Sequence, residues 1–182
     1  MKKYLVLYYS NTGNSEFIAK KISQKLACEA KKIIPLIDNV LVLFLMSALK
    51  INIPVNISKK EIENYDDIII IGPIWGGLLI SPLKTIILKC IKASKNIHFA
   101  VTCETKDENK NDKYGYANTL KYVEYLGDKF IKNTDGFSTF SVNSINKSVN
   151  QKILQKIKIT EENFNGALSL RVEDFVIKIK SS

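Results

Sequence analysis

YLVLYYSNTGNSEFIAKKI, residues 4–22, is the stretch that decides the fold of this chain. An apolar segment typical of a buried strand leads into a short polar loop, and apolar residues at helical spacing follow the loop. Five of the six loop residues carry a hydroxyl or amide side chain and the other is a glycine: Ser10, Asn11, Thr12, Gly13, Asn14 and Ser15. The free N–H groups and the positive dipole end of the following helix point into the same space. The pattern therefore predicts a strand, a phosphate-binding turn and a helix.

Two other kinds of phosphate-binding loop do not fit this turn. A P-loop requires the pattern G-x-x-x-x-G-K-[ST], and a dinucleotide-binding loop requires G-x-G-x-x-G. The turn contains one glycine, Gly13, and no lysine. An ordinary strand-to-helix turn, in which Ser or Asn caps the helix and no ligand binds, stays open as the alternative.

Length and cysteine content indicate one domain in a reducing compartment. A chain of 182 residues can bury a core without cross-links, and we expect a single domain over residues 1–182. The three cysteines are odd in number and show no C-x-x-C spacing. We therefore expect no disulfide framework and a cytoplasmic location. The apolar runs are too short for a signal peptide or a membrane span, and neither is expected.

The net charge of +9 raises the question of a nucleic-acid partner. The positive residues are nearly all lysines scattered along the chain, and Arg171 is the only arginine. Base readout favours arginine, and binding along a phosphate backbone favours a basic stripe on one element. We therefore expect no nucleic-acid partner.

Predicted strands and helices alternate along the chain. The strands are residues 3–9, 32–37, 66–72, 96–103 and 137–142. The predicted helices cover residues 15–29, 117–130 and 164–180, with a single turn at 59–64. Another helix opens with Ser81 as its N-cap and Pro82 in its first turn, and a further one starts at a capping box, Ser148 to Gln151. Strands joined by crossover helices form a parallel sheet, so the predicted fold class is α/β.

Residues 38–49, DNVLVLFLMSAL, are apolar nearly all round. They predict either a buried helix or part of an irregular crossover. One interpretation is that the segment covers the sheet as core. The other is that it forms a surface for a partner or a hydrophobic substrate.

A second candidate loop follows the predicted third strand. It reads Gly72, Pro73, Ile74, Trp75, Gly76 and Gly77, and it contains the only tryptophan of the chain. Ligands of open α/β sheets bind outside the carboxyl ends of the strands. An indole at that edge is well placed to cover an aromatic ring. The alternative is a tryptophan packed into the core.

The third candidate loop runs from Cys103 to Tyr116, after the predicted fourth strand. We interpret the Cys103 thiol as a packing group at the ligand edge of the sheet. His98, the only histidine, lies within the strand and is interpreted as a packed or edge residue. Because no second histidine accompanies it, we predict no metal ligand and no catalytic residue.

The turn at residues 10–15 matches the pattern [ST]-x-T-G-x-[ST], and together with IIIGPIW at residues 69–75 it resembles the flavodoxin family over nearly the whole chain. DKYGY at residues 112–116 is a looser match to the third loop of that family. The resemblance implies a flavodoxin-like fold, with a five-stranded parallel sheet in the order 2-1-3-4-5 and helices on both faces. It also implies non-covalently bound FMN.

The resemblance assigns roles to thirteen residues. The phosphate would be held by Ser10, Asn11, Thr12, Gly13, Asn14 and Ser15. One face of the flavin would lie against Pro73, Ile74, Trp75 and Gly76. The ring edge or far face would contact Cys103, Glu104 and Tyr116.

The function that these features imply is electron transfer through bound FMN to a redox partner protein. The basic surface departs from the acidic surface typical of flavodoxins. A first alternative is an FMN-dependent reductase that acts on NAD(P)H or a small quinone, which the apolar residues 40–46 and the basic surface keep open. A second alternative is a flavodoxin-like binding module that holds no flavin.

Overall fold

The computed structural model describes residues 2–140 and 158–182. The strands are β1 Tyr4–Tyr8, β2 Glu29–Lys32, β3 Asp67–Trp75, β4 Leu78–Leu79, β5 Asn96–Cys103 and β6 Ile131–Ser138. The helices are α1 Asn14–Leu26, α2 Val40–Ala48, α3 Lys59–Ile62, α4 Ser81–Lys92, α5 Ala117–Gly127 and α6 Gly166–Ser181.

The sheet has the order β2-β1-β3-β5-β6, and all four pairs in it are parallel. The two-residue strand β4 lies antiparallel beside the end of β3. Without β4, the five parallel strands follow the order 2-1-3-4-5, so the predicted topology is confirmed. β1 therefore lies between β2 and β3, and its carboxyl end is flanked by neighbours on both sides.

Side chains alternate between the two faces of the sheet, and each face has its own buried cluster. Leu5 and Leu7 belong to the cluster that includes residues of α2, α3, α4 and α5, whereas Val6 and Tyr8 belong to the cluster that includes residues of α1 and α6. Burial on both faces explains why the strands β1 and β3 are almost continuously apolar. The α/β class with helices on both faces is confirmed.

Two predicted strands are displaced along the chain. β2 spans Glu29–Lys32 instead of residues 32–37, because it is a partly exposed edge strand without an apolar signal. β6 begins at Ile131, earlier than the predicted 137–142, because Asn133 and Asp135 make buried polar contacts and interrupt the apolar pattern. Residues 141–142 and the predicted capping box at Ser148 lie outside the described residues.

Helix boundaries also differ in two places. Ser81 was predicted as the N-cap of α4, but the N-cap is Ile80 and Ser81 is the first helical residue. The Ser81 hydroxyl instead donates to the carbonyl of Ile51 and accepts from the N–H of Ile53, which ties α4 to the segment after α2. Helix α5 ends at Gly127 and continues as a short 3₁₀ turn at Asp128–Phe130.

Within residues 38–49 the structure has one helix, α2, rather than an irregular crossover. The Asn39 side chain caps it, accepting from the N–H groups of Leu41 and Val42 at 3.1 and 3.2 Å. Only Leu43 and Ser47 of this helix are fully buried. Among the helices of the described residues, none has the length and hydropathy needed to cross a bilayer.

Candidate flavin-binding cleft

A cleft of about 710 Å³ opens at the carboxyl ends of β1, β3 and β5. The polar turn after β1, the end of β3, the end of β5 and helix α2 form its walls. Ten of the thirteen candidate residues line it: Asn11, Thr12, Asn14, Ser15, Pro73, Ile74, Trp75, Gly76, Cys103 and Glu104. The parallel topology thus brings together three loops that are far apart in the sequence.

The turn at residues 10–15 is shaped by Gly13. This residue has φ 95°, in the left-handed region that favours glycine, and it is the N-cap of α1. Its N–H donates to the Ser10 hydroxyl at 3.0 Å. Ser10 and Gly13 do not line the cleft among the described residues. Their geometry instead holds Asn11 and Thr12, whose side chains are exposed, at the mouth of the helix.

The side chains of Asn14 and Ser15 anchor the same turn to the core. The Ser15 and Thr102 hydroxyls lie 2.7 Å apart, which joins the turn to β5. The Asn14 Oδ1 accepts from the N–H of Ile159 at 2.9 Å, which joins it to the segment before α6. Both side chains are buried. These two side chains therefore serve to anchor the turn and are not presented to the cleft as free polar groups.

Lys158 lies beside this turn. A Cβ placed on Gly13 would be 3.6 Å from Lys158 Cε, so the aliphatic end of the lysine is in contact with the turn. The exposed lysine adds a positive charge near the helix N-terminus. The sequence does not predict this neighbour, because the contact joins distant parts of the chain, where the N–H of Ile159 donates to Asn14.

A tight hairpin presents Trp75. Gly76 and Gly77 have φ 58° and 75° and form the two-residue connection between β3 and β4, as expected for a type I′ turn. The Thr119 hydroxyl of α5 donates to the Gly77 carbonyl at 2.7 Å. This bond attaches the hairpin to α5, and the hairpin holds the indole at the edge of the cleft.

Trp75 is half-buried and lines the cleft. Its ring packs edge-on against Tyr9, with centroids 6.2 Å apart and an interplanar angle of 73°. The Tyr9 hydroxyl donates to Asp38 Oδ1 at 2.9 Å, and burial together with this bond raises the pKa of Tyr9 well above its usual value. The indole is thus braced by a fixed neighbour and is not a fully buried core residue.

Cys103 lies at the end of β5 and is 7% exposed. Its thiol donates a weak bond to the Thr105 carbonyl at 3.8 Å. Burial raises the pKa of this thiol to about 11. Because the thiolate is the reactive form, the raised pKa disfavours reaction of this thiol near neutral pH. Glu104 beside it is exposed.

Tyr116 lies away from the cleft. It is 2% exposed, its hydroxyl donates to Asp107 Oδ1 at 2.5 Å, and it accepts from Arg171 at 3.2 Å. Arg171 also donates to Asp107 and to Asp135, each at 2.8 Å, and so ties α6 to the third loop and to β6. Tyr114, which is 62% exposed, is the tyrosine of this loop that lines the cleft.

Helix α2 forms an apolar wall of the cleft. Val40, Leu41 and Phe44 line it, and a Cβ placed on Gly76 would be 3.8 Å from the Phe44 ring. These residues were absent from the predicted site. The apolar character of residues 38–49 was visible in the sequence, but its position beside the hairpin was not.

No family model matches the sequence, and no curated protein matches it. Solved structures match the fold. A flavoprotein from Lactobacillus acidophilus, solved in complex with FMN, aligns with 75% of this chain and 93% of its own at 20% identity and a TM-score of 0.56. A flavodoxin from Streptococcus pneumoniae TIGR4 aligns with 98% of this chain and 97% of its own at 13% identity and a TM-score of 0.52.

These similarities establish a flavodoxin-like fold for this chain. The fold confirms the resemblance seen in the loop sequences, since the same topology appears in both solved proteins. At identities of 20% and 13%, these comparisons show the fold alone, so the ligand and the reaction have to be inferred from the residues of the cleft.

Proposed function

We propose that this chain binds FMN non-covalently in the cleft and transfers electrons through it. The observation that carries the proposal is that the polar turn at the head of α1 and the half-exposed indole of Trp75 open into one cleft. A phosphate needs hydrogen-bond donors, and a flat apolar ring needs an apolar slot beside them. Both are present within a volume in the usual range for cofactor sites.

The donor set of the turn fits a phosphate. Asn11 and Thr12, with an amide and a hydroxyl side chain, are exposed and line the cleft beside the N-terminus of α1, and a helix N-terminus favours an anion. Hydrogen bonds to a charged group contribute about 1.5–3 kcal/mol each. Three or four such bonds and the apolar contacts of a ring are enough for tight binding without a buried cation.

The apolar part of the cleft fits an aromatic ring system. Trp75 and Ile74 offer one apolar surface, and Phe44 and Leu41 of α2 offer another. When bound, FMN supplies the one- and two-electron chemistry. The chain positions the cofactor and excludes water. Cys103, with a pKa of about 11, stays protonated near neutral pH.

Titration with FMN tests this proposal. We expect Thr12→Ala to weaken FMN binding about tenfold to a hundredfold, because one charge-assisted hydrogen bond is lost. Trp75→Ala should weaken it by about tenfold or more through loss of ring contact. Flavin fluorescence and absorbance measure both.

Two substitutions outside the cleft serve as controls. Thr134→Ala on β6 and Tyr125→Ala on α5, where the ring is 85% exposed, should leave FMN affinity unchanged. Protein that takes up no flavin under these conditions would support the alternative of a binding module without a cofactor.

The apolar wall favours a second candidate, an FMN-dependent reductase of a small quinone or a nicotinamide. Val40, Leu41 and Phe44 supply apolar surface at the open side of the cleft, where an electron carrier needs none. Steady-state oxidation of NAD(P)H by the purified, FMN-loaded protein separates the two, because a pure carrier requires a partner reductase.

Three free cysteines support a reducing, cytoplasmic location for either function.

A further inference from the structure

The exposed apolar side chains of this protein are concentrated in one region. Fourteen large apolar side chains are exposed in the described residues, and nine of them lie between positions 34 and 51. We call these nine the apolar patch: Ile34, Leu36, Ile37, Val40, Leu41, Phe44, Leu45, Leu49 and Ile51. Leu36 and Leu41 are each 77% exposed. Single exposed apolar residues are ordinary, whereas a contiguous group marks an interaction surface.

Hydrogen bonds fix the three segments that carry the patch. The N–H of Leu36 donates to the Pro54 carbonyl at 2.9 Å, which fixes the strand-like segment before α2. The N–H of Ile51 donates to the Met46 carbonyl at 2.9 Å, which folds the segment after α2 back onto the helix. The Ser47 hydroxyl accepts from the N–H of Ser81 at 2.8 Å and holds α2 against α4. The patch therefore has a defined shape.

The charges around the patch have one predominant sign. Residues 33–58 contain two charged residues, Asp38 and Lys50, and the Asp38 carboxylate accepts from Tyr9 at the cleft. Lysines flank the segment in the sequence at 31–32 and 59–60, and Lys84 donates to the Lys50 carbonyl at 2.9 Å. Lys31 and Lys59 pair with glutamates. We define the basic rim as Lys32 and Lys50, which adjoin the patch in the sequence, and Lys84, which contacts Lys50. None of these three lysines forms an ion pair with an acidic group of the described residues.

We propose that the apolar patch and the basic rim dock this protein on an anionic lipid surface. Apolar side chains beside unpaired lysines are the combination that binds the boundary between acyl chains and anionic headgroups. α2 has nine residues and is about 14 Å long, so it lies in the interface and does not cross the bilayer.

Other occupants fit the patch less well. A second copy of the chain, docked through the same surface, would bring one basic rim against another in a protein that already carries +9. A protein partner pairs polar groups at about one hydrogen bond per 100–200 Å² of interface. The only polar side chain of α2 is Ser47, which is buried and already bonded. Acyl chains require no such partner.

Docking has a consequence for the cleft. Val40, Leu41 and Phe44 belong to both the apolar patch and the cleft wall. A membrane against the patch would therefore place the mouth of the cleft at the lipid boundary. If the proposed function holds, the acceptor that fits this position is an apolar, lipid-soluble one.

Co-sedimentation with vesicles tests the docking proposal and needs no flavin, so its failure is distinct from failure of FMN binding. We expect the wild type to sediment with vesicles of phosphatidylcholine and phosphatidylglycerol, and much less with phosphatidylcholine alone. Leu41→Glu with Leu45→Glu should reduce partitioning at least tenfold. Lys32→Gln with Lys50→Gln should reduce it by about fivefold per lysine.

The matched control is Leu170→Glu with Ile177→Glu on α6, the helix that packs on the opposite face of the sheet. These side chains are 62% and 63% exposed, similar to the altered residues of α2, and partitioning should not change. Far-UV circular dichroism checks that each variant is folded. Equal sedimentation of the α2 variant and the wild type, or equal binding to neutral and anionic vesicles, would overturn the proposal. A wild type that sedimentation velocity shows to be dimeric, with a monomeric α2 variant, would assign the patch to self-association instead.

Discussion

The polar turn at residues 10–15 and helix α2 line the same cleft, but they are held in different ways. The turn is held by two buried hydrogen bonds, one between the Ser15 and Thr102 hydroxyls and one from the Ile159 N–H to Asn14, whereas Asn11 and Thr12 are exposed. α2 presents most of its apolar surface to solvent and buries Leu43 and Ser47 alone. One wall is held by hydrogen bonds to distant elements, and the other keeps most of its apolar side chains exposed. One cleft wall is thus polar and anchored, and the other is apolar and exposed; the apolar wall belongs both to the cleft and to the apolar patch.

The largest expected effect tests how α2 is attached. Leu43→Ala should lower the free energy of unfolding by about 2–5 kcal/mol, since Leu43 is fully buried. Leu41→Ala, two residues earlier and 77% exposed, should change it by less than about 0.5 kcal/mol. Urea unfolding measures both. A large cost at Leu41 would mean that the exposed side of α2 is covered in the free protein.

Acid should lower the free energy of unfolding through His98, which lies on β5 of the sheet. His98 is buried in β5, 3.0 Å from Asn133, and burial lowers its pKa from 6.5 to about 4. The unfolded chain therefore binds a proton at higher pH than the native chain, and stability falls as pH drops from 6.5 towards 4. The loss reaches about 3 kcal/mol. His98→Gln should flatten this part of the urea-unfolding profile, and an unchanged slope would assign it to other groups.

The next effect concerns the buried side of the polar turn. Ser15→Ala should cost about 1–3 kcal/mol of unfolding free energy, because the buried Thr102 hydroxyl loses its partner. Thr12→Ala, in the same turn but exposed, should change stability by less than about 0.5 kcal/mol while weakening FMN binding. Equal stability effects in urea would contradict the division of the turn into an anchored half and a ligand half.

The smallest effect concerns Lys158. Its exposed charge beside the turn should strengthen phosphate binding modestly, so Lys158→Ala should weaken FMN affinity about twofold to fivefold at low salt. The difference should shrink as salt is added, because exposed charges are screened. Lys180→Ala at the end of α6 is the control. A loss at Lys158 that is independent of salt would indicate a structural role.

The sequence predicted the positions of the central strands β1 and β3 more accurately than those of the edge strands β2 and β6. Four isoleucines in β3 and the apolar run of β1 define strands that are buried on both faces, and periodicity detects such strands. β2 and β6 were displaced because one is a short edge strand and the other contains Asn133 and Asp135, whose partners come from distant elements. Local pattern carries no information about such partners.

In the candidate site, too, local features were predicted and contacts between distant elements were not. Eight of the ten residues predicted at 10–15 and 73–76 line the cleft, because each loop follows a buried strand whose carboxyl end lies at that edge of the sheet. Tyr116 was assigned to the ring through its loop, but its hydroxyl is bound by Asp107 and Arg171 and Tyr114 lines the cleft. Arg171 lies on α6, and its reach to the third loop depends on how that helix packs.

The amino-acid sequence by itself determined the α/β class, the polar turn at the head of α1 and the presence of a tryptophan after the central strand. These features follow from the apolar period of strands and helices and from the hydrogen bonds of a helix N-terminus, which are local. Only the tertiary structure decided that α2 forms one wall of the cleft, that Lys158 lies beside Gly13, and that nine large apolar side chains between positions 34 and 51 stay exposed. Burial and contact between distant segments depend on how whole elements pack, and no short stretch of sequence specifies that.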